Sequence, residues 1–147
     1  MNNKRIPADV RRVRSKLEAV RAAYKDYLDA AEKESSYRNK ISSACAFSFS
    51  DVPKREHTGN KSEDKMIRLL TFGEQKASLK QTADSSRQEA EALISMLDSE
   101  TEKTILRKRY LEFGSWNDII NEMNYDRSWV FRLHNRGLEN LSKIPKQ

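Results

Sequence analysis

The 147-residue chain contains one cysteine, Cys45, two histidines, His57 and His134, and four glycines. A lone thiol cannot close an internal disulfide, and two distant histidines give no zinc-ligand spacing, so neither metal nor redox function is expected. The glycines form no phosphate-cradling loop, and no serine sits in a nucleophile elbow. The carboxylates lie in heavily charged segments where pairing with Lys and Arg is the ordinary outcome, so the chain reads as a non-enzyme without catalytic residues or cofactor. Long apolar runs are missing as well. No stretch approaches the roughly 18–20 residues needed to cross a bilayer, and the opening MNNKRIPADV lacks the apolar core of a signal peptide; a cytoplasmic protein without membrane contact is expected. Hydrophobic residues make up 37% and charged residues 34%, with a mean hydropathy of −0.88, which argues against a large globular core and for solvated helices.

What is present is basic charge and helical periodicity. The net charge is +6 and the isoelectric point about 9.5. Both favour an anionic partner such as nucleic acid, although ribosomal or membrane-surface binding shares that footprint. After Pro7, which is tolerated at a helix start, Val10, Val13, Leu17, Val20, Tyr24, Tyr27 and Ala31 recur at spacings of three and four. This heptad seam predicts a long helix from Ala8 to about Ser35. A second seam, Leu69, Phe72, Lys76, Leu79, Ala83, Ser86, Ala90, Leu93 and Leu97, predicts another, with Ser62, Glu63 and Asp64 as cap and acidic first turn. Its middle is poor in large side chains, and Gly73 costs about 1 kcal/mol relative to alanine. The two helices are expected to pair as an antiparallel coiled-coil-like hairpin, alone or within a homodimer. Between them, Ser, Thr, Asn, Pro53 and Gly59 accumulate and periodicity disappears. This segment reads as a linker whose ACAFSFSDV patch either forms a short extended piece or tucks Phe47 and Phe49 onto the hairpin.

The organisation expected is all-α: residues 1–36 as a first long helix, 37–61 as linker, 62–97 as a second long helix and 98–147 as a small helical domain. Ser99 followed by Glu102 is a capping box opening a helix from Glu100 to about Phe113. Gly114 can end it in the left-handed conformation, and Ser115 followed by Asp118 starts the next helix, to about Met123. Asn124 tolerates positive φ, and Asp126 can accept the first amide hydrogens of a final helix. On that helix Val130, Leu133, Leu138 and Leu141 share one stripe. Arg127, Ser128, Phe131, Arg132, Asn135 and Arg136 fall on the other side, as donors suited to phosphates and base edges. This is the pattern of a helix-turn-helix that reads double-stranded DNA.

The run ILRKRYLEFGSWNDIINEMNYDRSWVFRLHNRGLENL resembles the fourth conserved region of bacterial sigma-70-type factors. It is similar, more closely, to phage-encoded sigma-region-4-like regulators of Gram-positive bacteria, the late-transcription activators of the ArpU and RinA type. Arg109, Tyr110, Gly114, Trp116 and the Val130-Phe131-Arg132-Leu133-His134 run carry the match, over about the last third of the chain. The resemblance implies a DNA-binding transcription regulator of phage or prophage origin that acts with host RNA polymerase. It also places Arg107, Lys108 and Arg109 near the DNA backbone or the polymerase flap, their alternative being a solvated face. No aromatic module for capturing a melted promoter strand is found, which favours an activator or adaptor over a self-sufficient sigma factor. Phe131 faces thymine methyls or the sugar backbone, or covers a neighbouring helix. Trp116 and Trp129 read as packing residues, with DNA contact as the alternative for Trp129 because it sits beside the outward stripe, and His134 as a surface or hydrogen-bonded residue. The basic run Arg11, Arg12, Arg14 and Lys16 either touches flanking DNA or forms the outer side of the coiled coil. Two other readings stand beside the regulator: a phage DNA-packaging recognition subunit of the small-terminase kind, and a helical interaction protein that does not bind DNA.

Overall fold

In the computed structural model, which describes residues 5–46 and 61–145, every regular element is helical. Helix α1 spans Ala8–Ala46 and α2 spans Lys61–Ser95. Helix α3, Glu100–Leu106, passes into a π-helical turn, Arg107–Leu111. Helices α4, Trp116–Met123, and α5, Arg127–Lys143, complete the chain. No helix among the described residues is long and apolar enough to cross a membrane.

Helix α1 opens as the position of Pro7 suggests, with Arg11 N donating to Pro7 O at 3.1 Å. It then continues past Ser36, where the sequence suggests a linker, through Ala46. The heptad stripe explains the continuation: after Ala31 it is extended by Glu34, which is buried, and by the half-buried Tyr37 and Ile41. Serine and asparagine in this stretch cost only a few tenths of a kcal/mol each in helix propensity, which packing on one face can outweigh. Phe47 and Phe49 lie outside the described residues. Helix α2 begins at Lys61, so Ser62 lies inside the first turn rather than capping it, while Glu63 and Asp64 do face the helix N-terminus.

The chain divides into two units. In the unit 24–82, Tyr37 meets Phe72 edge-on with ring centroids 5.3 Å apart, and the Lys76 ammonium lies 2.5 Å from the Glu34 carboxylate. Residue numbers rise on one segment as they fall on the other, so the two segments run antiparallel. Arg38 binds the second oxygen of Glu34 at 2.8 Å. The hydrogen bond from Lys76, foremost, and that from Arg38 hold the Glu34 carboxyl below its ordinary range against the opposing effect of burial. Among the described side chains of this unit only Glu34 is buried; the seam residues Tyr27, Leu69, Phe72 and Leu79 are half-buried.

The other unit, 1–23 with 83–147, carries the apolar core. Val10, Leu17 and Val20 from α1 and Ala90, Ile94 and Leu97 from the α2 end join Leu106, Tyr110, Leu111, Leu138 and Leu141 in one cluster. A second cluster unites Ile105, Ile119, Val130 and Leu133, with Trp116, Ile120 and Met123 against it. Burying such aliphatic side chains stabilises by roughly 1.5–3 kcal/mol each. Helix α3 starts at Ser99, whose hydroxyl accepts from Glu102 N at 3.5 Å. The Glu102 carboxylate does not reach back to complete a capping box. It is buried, accepts from Asn140 Nδ2 at 3.0 Å and pairs with Arg136 at 3.3 Å. Gly137 permits the approach of α5 to α3: a Cβ there would lie 3.2 Å from Leu106 Cδ1 and 3.5 Å from Glu102 Cβ.

After α3 the π turn carries one extra residue, closed by Glu112 N to Arg107 O at 3.0 Å. The left-handed residue that follows is Phe113, at φ 58°, rather than Gly114. The wider turn accounts for the shift, because Gly114 N must reach Lys108 O, at 2.8 Å, to close the helix end. Gly114 is needed there for space: a Cβ would lie 3.0 Å from Lys108 O and 3.4 Å from Ile119 Cγ1.

Candidate nucleic-acid interface

Local chemistry sets the entry and exit of α4. Ser115 Oγ accepts from Asp118 N at 3.2 Å and donates to the Asp118 carboxylate at 2.6 Å. At the other end Asn124 takes the left-handed conformation, φ 56° and ψ 37°, and its amide bonds Ile120 O. A short polar side chain tolerates that conformation better than other non-glycine residues. Asp126 is extended and its side chain caps nothing. The first helical bond comes instead from Val130 N to the Asp126 carbonyl, at 3.0 Å, and the carboxylate still offers negative charge to the helix N-terminus.

Helix α5 then has two unlike faces. Val130, Leu133, His134, Gly137, Leu138 and Leu141 are buried. At about 100° per residue Ser128, Arg132 and Asn135 share one outward side, with Arg127 and Arg136 at its opposite edges; all five of these α5 residues singled out by sequence stand exposed. Phe131 does not: it is half-buried, 4.6 Å from the Trp116 ring, which favours its helix-covering role. Arg136, though exposed, is tied to Glu102. Arg107 and Lys108 are not on this face. Arg107 pairs with Glu91 at 2.7 Å, and Lys108 is held by Glu122 in a close ion pair that raises the lysine pKa. Both cations are committed to carboxylates of the protein itself.

Two features of the surface escape the sequence reading. Trp129 is 42% exposed rather than packed, and the Arg132 guanidinium lies 5.6 Å from its ring centroid. The spacing of three residues between tryptophan and arginine on one helix is the signal that could have shown this pair. Glu139, also exposed, follows Asn135 by one turn and limits the stretch of this face that suits phosphate. Beside it, guanidinium and aromatic groups alternate: Arg127 is 5.6 Å from the Phe131 ring, Phe131 meets Trp116, and Arg109 lies 4.7 Å from the Trp116 ring.

Beneath α5, Tyr110 Oη lies 2.9 Å from His134 Nε2, and His134 Nδ1 lies 3.3 Å from Asn135 Oδ1. The neutral imidazole with its proton on Nδ1 satisfies both, donating to Asn135 and accepting from the tyrosine. Burial, above all, pushes the His134 pKa down to about 4; the nearby Arg14 and Arg109 act in the same direction and the Asn135 bond opposes them. The same burial raises the Tyr110 phenol. His134 is therefore a neutral packing residue that orients Asn135 from below. Among the described residues no group of three or more His, Cys, Asp or Glu side chains is placed to hold a metal ion.

No protein-family model, curated protein or solved structure matches the chain.

Proposed function

We propose that the chain is a sequence-specific DNA-binding transcription regulator in which α4 and α5 form a helix-turn-helix and α5 enters the major groove. The two-faced character of α5 is the observation that carries this reading. Its apolar side is buried, while Ser128, Arg132 and Asn135 stand exposed together and Arg127 stands exposed at their edge, all within about two and a half turns of the helix N-terminus. Guanidinium and amide groups are the side chains that pair with guanine and adenine edges, and helix N-terminal residues are those that reach bases in this docking mode. The Arg132 side chain beside Trp129 is partly ordered before any ligand arrives. The positive net charge supplies the sequence-independent attraction to the phosphate backbone.

Residues 98–147 are the DNA-binding domain in this proposal, and the two long helices form a hairpin that dimerises or presents a partner surface. On the sigma-region-4 resemblance, the protein is a phage or prophage activator working with host RNA polymerase in the cytoplasm, and it performs no catalysis itself. The test is selection of duplexes from a random pool by wild type and by the Arg127→Ala/Arg132→Ala/Asn135→Ala variant at near-physiological salt. Arg136 is spared because it serves Glu102. A motif enriched by the wild type and lost by the variant is the expected result, with Arg132→Ala alone costing about 1–3 kcal/mol at the preferred site. A motif that survives in the variant, or no motif at all, would overturn the assignment of α5.

A further inference from the structure

A cleft of about 240 Å³ opens beside Trp116, and no α5 residue lines it. Arg14, Glu18 and Arg21 of α1 line it from one side, and Arg109, Tyr110 and Trp116 from the other. Three guanidinium groups thus converge from two elements on a space that holds one carboxylate. That carboxylate, Glu18, is engaged by Arg14 through Nε alone, at 2.9 Å, which leaves the two terminal nitrogens of Arg14 available. Arg21 has no ion-pair partner among the described residues. Arg109 is fixed from two directions, donating to Gly114 O at 3.0 Å and lying over the Trp116 ring, and only Nη1 is used. Tyr110 is not a donor to the cleft because its hydroxyl serves His134; it and Trp116 form an apolar wall.

We infer that this cleft is a phosphate-binding site, in which Arg14, Arg21 and Arg109 donate to the oxygens of a phosphodiester or of a free phosphate-bearing ligand. Several observations favour phosphate. The surplus of two positive charges matches a dianion or a pair of adjacent diesters. Planar forks approaching from different elements suit a tetrahedral group with several acceptor oxygens, and a guanidinium already held by a carbonyl and a ring loses less freedom on binding. The site goes beyond the reading of α5, since it would bind phosphate whatever α5 recognises.

The test follows the indole N–H of Trp116 and the side-chain Nε–H of Arg109 by NMR in the full chain, with Trp129→Phe used only to assign the indole signals. Three probes are titrated separately: inorganic pyrophosphate, a random-sequence DNA duplex, and an oligoglutamate peptide. Saturable shifts with pyrophosphate that weaken about tenfold in Arg14→Gln/Arg21→Gln are expected. Matching shifts with the duplex identify the DNA backbone as the source, and their absence identifies a free phosphate ligand. Glu18→Gln supplies a control of opposite sign: removing the one carboxylate should tighten pyrophosphate binding several-fold, a readout that stands even if the double variant is poorly folded. Stronger binding of oligoglutamate than of pyrophosphate would overturn the inference in favour of an acidic protein partner. Shifts that neither variant alters, or no shift with any probe, would overturn it outright.

Discussion

Burial of His134 ties stability to pH. Its imidazole is enclosed by Tyr110 and Trp116, with Arg14, Glu18 and Arg109 as the nearest charges, and its pKa falls from 6.5 to about 4. Above pH 6.5 folded and unfolded chains both hold it neutral, so its full contribution is present. As pH falls below 6.5 the unfolded chain gains a proton that the folded chain refuses, and stability declines until about pH 4. Glu34, lowered from 4.5, adds its own loss only below that value. Urea denaturation should therefore show a loss of about 2–3 kcal/mol between pH 6.5 and 4.5, and His134→Gln should flatten that slope. At Gly137 the limiting factor is space. A Cβ contact of 3.2 Å to the end of a leucine side chain is one that Leu106 can yield to, and alanine recovers about 1 kcal/mol of helix propensity, so Gly137→Ala should be close to neutral. Gly137→Leu must separate α5 from α3 and should cost about 1–3 kcal/mol in thermal denaturation.

At the scale of elements, stability is distributed unequally. The segments of α1 and α2 within 24–82 bury no apolar side chain among those described, whereas α3 and α5 enclose Ile105, Leu106, Val130, Leu138 and Leu141. Amide hydrogen exchange should be orders of magnitude faster in 24–43 and 61–82 than in α3 and α5; equal protection would show that the long helices have a partner in solution. This inequality was legible only in part: of the weak seam positions Lys76, Ala83, Ser86 and Ala90, only Lys76 lies in 24–82, whereas Ala83 and Ala90 are small enough to be buried in the core-bearing unit. The caps were legible too: Ser115 and Asn124 act through bonds to neighbours in sequence. What escaped depended on distant contacts. The extension of α1 to Ala46 rests on faces meeting across the pair, the burial of Glu102 on Asn140 and Arg136, and the half-burial of Phe131 on Trp116.

For the molecule as a whole, the sign of the charge was readable but its availability was not. Lys76, Lys103, Arg107, Lys108 and Arg136 each have a carboxylate partner, while Arg21, Arg127 and Arg132 have none among the described residues. Cations such as Arg11, Arg12, Lys16, Lys80 and Arg87 are likewise exposed, so much of the +6 charge is open to solvent, with Arg127 and Arg132 as its free guanidinium groups on α5. The π turn at Arg107–Leu111 bears on how that surface is aimed. One residue in a helix is worth about 100° of rotation, so the surplus residue acts as a phase shifter between the buried α3 and everything after it. Shortening that turn by a single residue would leave each downstream helix chemically unchanged and point it the wrong way, which makes this segment a place where length matters more than identity.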